Sequence, residues 1–253
     1  MAQPPDTHRL EAHALEIHRR LCREYGCPIA YFHDHDPLSE LVSSLLSHRT
    51  KNRDSGNAFN ALRDRYPSWE ALRDAPTGEV EALIRGVTWP EQKAPRIQAV
   101  LRAVTERQGA LTLDFLEGMP VPEARAWLEA LPGVGPKTSA AVLSFSRLRQ
   151  AALPVDSHHH RVAQRTGLIP RSMDVGPSHP ALAALLPPDW DAQQVYDHHE
   201  VLMLHGQRVC FHRNPACGRC VLLDICPTGL ALTAGRPEPA RGAPQRPQAP
   251  PGP

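Results

Sequence analysis

Little in the overall charge of this chain announces a partner. Its 28 lysines and arginines stand against 27 aspartates and glutamates, a net charge of +1 over 253 residues with histidine neutral. That balance excludes the strongly basic type of nucleic-acid binder whose net charge alone reveals it. Aromatic residues make up only 5%. No apolar run is long enough to cross a bilayer, which excludes a helical membrane span. No stretch alternates apolar and polar residues with period two, so strands are not expected. Six cysteines without a secretory leader exclude a small disulfide scaffold and point to a reducing cytosol, where Cys22 and Cys27 are expected as buried or idle thiols. What the chain does have is 41% hydrophobic residues, enough to bury one large core or two small ones.

Those residues recur at helical spacing. Leu38, Leu41, Val42, Leu45 and Leu46 follow Asp36 and Pro37, a good cap and first-turn pair. Ile97, Val100, Leu101 and Val104 form a second stripe, closed by Gly109. Ala124, Trp127, Leu128 and Leu131 form a third, begun by Pro122. The expected fold class is all-α.

The third stripe runs into Leu131-Pro132-Gly133-Val134-Gly135-Pro136-Lys137-Thr138. Two glycines permit backbone conformations closed to other residues, and Pro136 suits the first turn of a following helix. Helix, hairpin, helix is the result. Bare backbone N–H groups beside a helix N-terminus bind phosphate without reading sequence, so Gly133, Val134, Gly135 and Thr138 are candidate contacts to a nucleic-acid backbone. Lys137 lies in the first helical turn, where the positive end of the helix dipole favours the neutral, nucleophilic amine. Asp156, in Val155-Asp156-Ser157-His158, supplies a carboxylate at another helix start. Together they suggest imine chemistry on a sugar carbon. Taken singly, Lys137 reads as a solvated first-turn residue and Asp156 as an ordinary N-cap.

Cys210, Cys217, Cys220 and Cys226 follow C-x6-C-x2-C-x5-C. Four thiolates this close form a metal site. Zinc in a four-cysteine site and an iron-sulfur cluster both remain open on chemistry alone; the single C-x2-C pair between unequal loops leans toward the cluster.

The ordered set of glycine hairpin with lysine, Val-Asp-Ser-His and C-x6-C-x2-C-x5-C resembles the endonuclease III family of helix-hairpin-helix DNA glycosylases, over residues 10 to 230. The resemblance implies Lys137 as Schiff-base lysine, Asp156 as catalytic aspartate and the four cysteines as ligands of one 4Fe-4S cluster. It also implies a helical-barrel domain at 30–150, a cluster domain of 9–29 with 151–231, and a DNA cleft between them. Relatives that only remove bases lack a lysine at this place, so its presence implies lyase activity as well.

A glycosylase extrudes its target nucleotide and fills the gap with side chains. Trp89, followed by Pro90, falls where the family carries an intercalating loop; a tryptophan packed at a helix junction is the other reading. The second gap-filling position, normally glutamine, is Arg49 in Leu46-Ser47-His48-Arg49-Thr50-Lys51-Asn52, and Asn52 replaces the family's acid. The family resemblance implies action on oxidised pyrimidines; a guanidinium differs from an amide in charge and geometry, which implies a divergent paralogue with narrowed or weak activity toward those bases, or one acting mainly on abasic sites. Three neighbouring histidines, His158 to His160, point in different directions on a helix and are not expected to share one ion; His158 matches a family histidine near the DNA. Arg208, Arg213 and Arg219 flank the cysteine loop as candidate phosphate contacts.

Between Lys137 and Arg165 the cations Lys137, Arg147, Arg149, Arg161 and Arg165 meet only Asp156. From Ser172 to Gln207 there is no cation, but Asp174, Asp189, Asp191, Asp197 and Glu200. A basic DNA face near the hairpin and an acidic face elsewhere are expected. The ends, residues 1–8 and the proline-rich 232–253, are expected to be disordered. The leading expectation is a monomeric, cytoplasmic, nucleoid-associated DNA glycosylase and lyase acting on double-stranded DNA with damaged bases or abasic sites. Its rival is a helix-hairpin-helix DNA-binding protein with a structural metal site and little catalysis.

Overall fold

The computed structural model describes residues 7–234. Among these residues there are twelve α-helices and no strand, as the stripes predict. They are α1 (Thr7–Tyr25), α2 (Pro37–Ser47), α3 (Asn52–Arg65), α4 (Trp69–Asp74), α5 (Thr77–Leu83), α6 (Pro90–Gln108), α7 (Val121–Glu129), α8 (Pro136–Phe145), α9 (Ser157–Thr166), α10 (Val175–Ala183), α11 (Ala192–Arg208) and α12 (Pro227–Thr233). The expected disorder of the two ends falls mostly outside the described residues. Where it does not, it is corrected: Thr7 and His8 open α1, and Leu232 and Thr233 close α12.

The boundaries follow from local chemistry. Asp36 caps α2, its carboxylate accepting the Ser39 N–H at 2.9 Å, a bond whose loss costs about 1 kcal/mol. Gly109 ends α6 in the left-handed conformation at φ 77°. α7 starts one residue before the expected Pro122, because Pro120 already fixes the preceding turn. Asp191 and Gln194 form a reciprocal capping box on α11.

Two apolar clusters form. One joins residues between Leu38 and Ala152, with α2 packed on α8 and α6 on α4 and α5. The other joins Ala14, Ile17 and Leu21 of α1 to residues from Leu153 to Cys226, with α11 packed between α1 and α9. A small aromatic group links the segment before α2 to α8 and α11. Tyr31 stacks on Tyr196 with centroids 4.1 Å apart, Phe145 meets Tyr196 edge-on at 5.7 Å, and the Arg149 guanidinium lies 3.5 Å from the Tyr31 ring. Arg149 also donates to the carbonyls of Phe145 (2.6 Å) and His33 (2.8 Å), tying α8 to the segment that precedes α2.

Cys22 and Cys27 correct the expectation of idle thiols: they are joined as a disulfide. Gly26, at φ 82°, turns the chain back at the end of α1, and both Gly26 and Cys27 donate their N–H to the Cys22 carbonyl. The turn leaves the two Cα atoms 5.0 Å apart, inside the range a disulfide spans.

Candidate active site

Lys137 is the second residue of α8, after Pro136, and is half-buried. Gly133 takes φ 75°, the left-handed conformation that the turn reserves for glycine; a Cβ there would meet only the flexible Arg96 side chain, at 2.7 Å. Gly135 caps α8, its carbonyl accepting the Ser139 N–H at 3.0 Å. Val134 turns its side chain into the core and gives its N–H to the Leu131 carbonyl at 3.2 Å. Thr138 follows Lys137, half-buried.

Asp156 is the N-cap of α9 and accepts the His159 N–H at 2.7 Å. Its backbone is extended, and Val155 before it is fully buried, so the carboxylate is held by the helix it begins. Behind it His199 of α11, 2% exposed, bonds through Nδ1 to the Pro154 carbonyl at 2.8 Å. Burial lowers the His199 pKa first, Asp156 opposes the shift and Lys137 adds to it. One buried imidazole therefore feels the charges of both Lys137 and Asp156. Glu200, next on α11 and 1% exposed, has its carboxyl pushed up to about 7, mainly by burial and then by Asp156 and Asp197.

Across the hairpin lies the C-terminal end of α2. His48 is held below its ordinary pKa by burial, and then by Lys93, Arg49, Lys137 and Arg96. Those four cations crowd one imidazole. Arg49 and Trp89 are brought together: both adopt positive φ, 53° and 56°, and the Arg49 guanidinium lies 5.6 Å from the Trp89 ring, which is 41% exposed. Asn52 opens α3.

Of the five cations expected to form the basic face, four are engaged within the fold. Arg147 pairs with Asp114 at 2.7 Å, and Arg149 is held at the aromatic junction. Arg161 donates to the carbonyls of Gly206 (2.7 Å) and Cys210 (3.0 Å), and Arg165 to those of Phe211 (2.6 Å) and His212 (2.9 Å). Unpaired backbone acceptors at loop ends draw these arginines inward. The acidic run divides: Asp197, which accepts the Ile29 N–H at 2.8 Å, and Glu200 are buried, while Asp174, Asp189 and Asp191 stay exposed, Asp191 as the cap of α11.

The three neighbouring histidines diverge as expected. His158 accepts from Arg161 at 3.0 Å and packs on Gly206, His159 is fully buried, and His160 lies 2.9 Å from the Met173 carbonyl. Arg208, Arg213 and Arg219 are all exposed; Arg219 donates to the Arg208 carbonyl at 2.6 Å, and Arg208 lies over the Tyr25 ring at 5.6 Å.

Cys210, Cys217, Cys220 and Cys226 line one apolar cavity with Val162 and Leu222. N–H groups point at its sulfurs: Leu222 to Cys220 (3.4 Å), Gly229 to Cys226 (3.3 Å) and Arg165 to Cys210 (3.3 Å). Burial pushes the Cys220 thiol up to about 11 and raises that of Cys226. Thiolates there need a bound cationic group to offset burial. Among the described residues no three side chains of histidine, cysteine, aspartate or glutamate converge on a single ion; the four sulfurs surround a space instead.

The residues that sequence reasoning missed are Lys93, Arg96, His48, His199 and Glu200. Only Lys93 carried a signal. It lies four residues before Ile97, in register with the apolar stripe of α6, where a lysine must find partners inside the fold.

A helical fold with a glycine hairpin leading into a lysine-bearing helix, and an aspartate capping a second helix beside it, defines a helix-hairpin-helix protein of DNA repair type. Residues 42–187 match the HhH-GPD superfamily base excision DNA repair protein family. The chain is 30% identical over 217 residues to endonuclease III of Synechocystis sp., covering 86% of this chain and 91% of that protein. It is 31% identical over 218 residues to endonuclease III of Thermotoga maritima, with 86% and 92% covered. The chain belongs to the endonuclease III family. Its fold is also similar to the solved structure of a trapped endonuclease III–DNA covalent intermediate, with a TM-score of 0.75 and 22% identity over 88% of this chain and 98% of that one.

Proposed function

We propose that this protein is a DNA glycosylase and abasic-site lyase of base excision repair that removes oxidised pyrimidines from double-stranded DNA. One observation supports the reading: Lys137 and Asp156, each at the start of a helix, both lie near enough to the buried His199 for their charges to bear on it. The Lys137 amine bonds to C1' of the extruded nucleotide as the glycosidic bond breaks, and the base leaves with a proton. The sugar ring then opens: the C1'–O4' bond breaks, O4' takes up a proton, and the nitrogen lone pair forms the C1'=N bond of a protonated imine. Removal of a C2' proton expels the 3' phosphate, and the strand is cut. Asp156 stabilises the cationic sugar and receives the amine proton.

Gly133, Gly135 and Thr138 hold the phosphate backbone, Arg49 and Trp89 fill the gap, and His158, Arg208, Arg213 and Arg219 border the path of the strand. The cleft lies between the 30–150 barrel domain and the cluster domain of 9–29 and 151–231. Arginine at position 49 narrows the range of lesions accepted. The protein acts as a monomer at the nucleoid in the cytoplasm.

Cys210, Cys217, Cys220 and Cys226 hold a 4Fe-4S cluster; sulfurs that surround an apolar space and receive N–H groups fit a group larger than one ion. Its part is to fix the Cys210–Cys217 loop against phosphate. Anaerobically purified protein is expected to be yellow-brown, with iron and sulfide in equal amounts; a colourless zinc protein overturns the assignment.

Borohydride added to the protein on abasic-site DNA is expected to trap a covalent adduct that Lys137→Ala abolishes. Binding without an adduct, with the metal intact, points instead to a DNA-binding module without catalysis.

A further inference from the structure

The two candidate gap-filling residues sit on different loops, and a single buried amine fastens those loops together. Lys93, in the first turns of α6, is 4% exposed. Its ammonium donates to the carbonyls of Leu46 (2.6 Å) and His48 (2.9 Å) and to the Thr50 hydroxyl oxygen (2.7 Å). Its backbone N–H bonds to the carbonyl of Trp89 at 3.0 Å. One residue thus grips Trp89 with its main chain and the segment flanking Arg49 with its side chain.

Two threonines close the ring. The Thr88 N–H donates to the Thr50 hydroxyl oxygen at 3.1 Å, and the Thr88 hydroxyl donates to the Arg49 carbonyl at 2.9 Å. The path Lys93, Thr50, Thr88, Arg49 joins the end of α2 to the start of α6 without passing through the core. It also accounts for the backbone. Left-handed φ at two neighbouring non-glycine residues costs on the order of 1–3 kcal/mol each and persists only where surrounding bonds over-determine it.

We propose that Lys93 is a positioning residue for base extrusion: its ammonium presets the Arg49 and Trp89 loops as one rigid unit, so that both side chains enter the duplex in a single event. Lys93 does not touch the reacting atoms. Its effect is on DNA that must be distorted, and not on an abasic site already free of a partner strand. The inference rests on the glycosylase and lyase reading of the same site.

The test compares borohydride trapping rates on one abasic-site oligonucleotide, as a duplex and as a single strand. Lys93→Met is expected to slow trapping on the duplex by about a hundredfold, the scale of a misplaced contact, while the single-strand rate changes less than about threefold. Thr88→Val removes only the hydroxyl bond to Arg49 and leaves Lys93 in place. It is expected to lower the duplex rate by about tenfold, with no further loss when added to Lys93→Met, as members of one network behave. Equal loss on both DNAs overturns the proposal. If Lys93→Met does not fold, Thr88→Val decides alone, and an unchanged duplex-to-single-strand ratio overturns it. Wild-type protein that traps neither DNA overturns the lyase reading itself, and this inference with it.

Discussion

A Cβ at Gly206 of α11 would stand 2.7 Å from the Cβ of His158 on α9, and 3.2 Å from the His158 Cα. The two helices touch backbone to backbone at the level of the candidate active site, and no side chain fits between them. Gly206→Ala is expected to cost about 1–3 kcal/mol, as overpacking in a closed seam does. Because α9 begins with Asp156, the same change shifts the carboxylate. Thermal unfolding and trapping should therefore fall together, whereas Gly56→Ala, where a Cβ meets nothing within 4 Å, should leave both intact.

Asp156 combines two tasks that one substitution separates. Asparagine caps a helix as well as aspartate does, so Asp156→Asn should change stability by less than about 0.5 kcal/mol. It should lower base removal by about a hundredfold or more, since the amide neither takes the amine proton nor stabilises a cation. Denaturant unfolding and single-turnover kinetics on the same preparation check both halves.

The interior of the second cluster sets an acid limit. His159 is held well below its ordinary pKa, His179 is lowered to about 4 and His198 to about 3, each mainly by burial. These side chains charge more readily unfolded than folded. Stability is complete above the unfolded value near 6.5 and declines as pH falls below it, by at most about 1.4 kcal/mol per histidine per pH unit. Unfolding midpoints measured from neutral pH downward should trace that loss, and His198→Gln should soften it.

Glu200 works in the opposite sense. Its carboxyl is raised to about 7, so the folded state favours the proton; the penalty for ionising it is absent below the unfolded value near 4.5 and grows as pH rises through 7. Glu200→Gln should stabilise the protein by on the order of 3 kcal/mol at about pH 8, and by less than about 1 kcal/mol at about pH 5. A gain equal at both pH values would show that burial of this carboxyl carries no ionisation penalty.

The sequence made plain whatever depends on near neighbours in the chain. Asp36 and Pro37 start α2, Gly109 ends α6, and Pro136 puts Lys137 in a first turn, all as the local chemistry predicts. What it hid depends on packing across the chain. Arg161 and Arg165 look available for DNA until α9 meets the cysteine loop and their donors fill with carbonyls. Cys22 and Cys27 look idle until Gly26 reverses the chain between them. His199 and Glu200 lie more than forty residues from Asp156 in sequence, and only the seating of α11 behind α9 brings them to it.

The crowd of cations around His48 gives the protein two electrical faces at different length scales. Seen from beyond a Debye length it is almost neutral, and an ordinary ion exchanger near pH 7 should barely hold it. A close-fitting polyanion meets Arg49, Arg96 and Lys137 together, with the buried Lys93 behind them. Heparin should therefore retain the protein to a salt concentration that its net charge does not foretell, and Arg49→Gln should shorten that retention without altering elution from the exchanger.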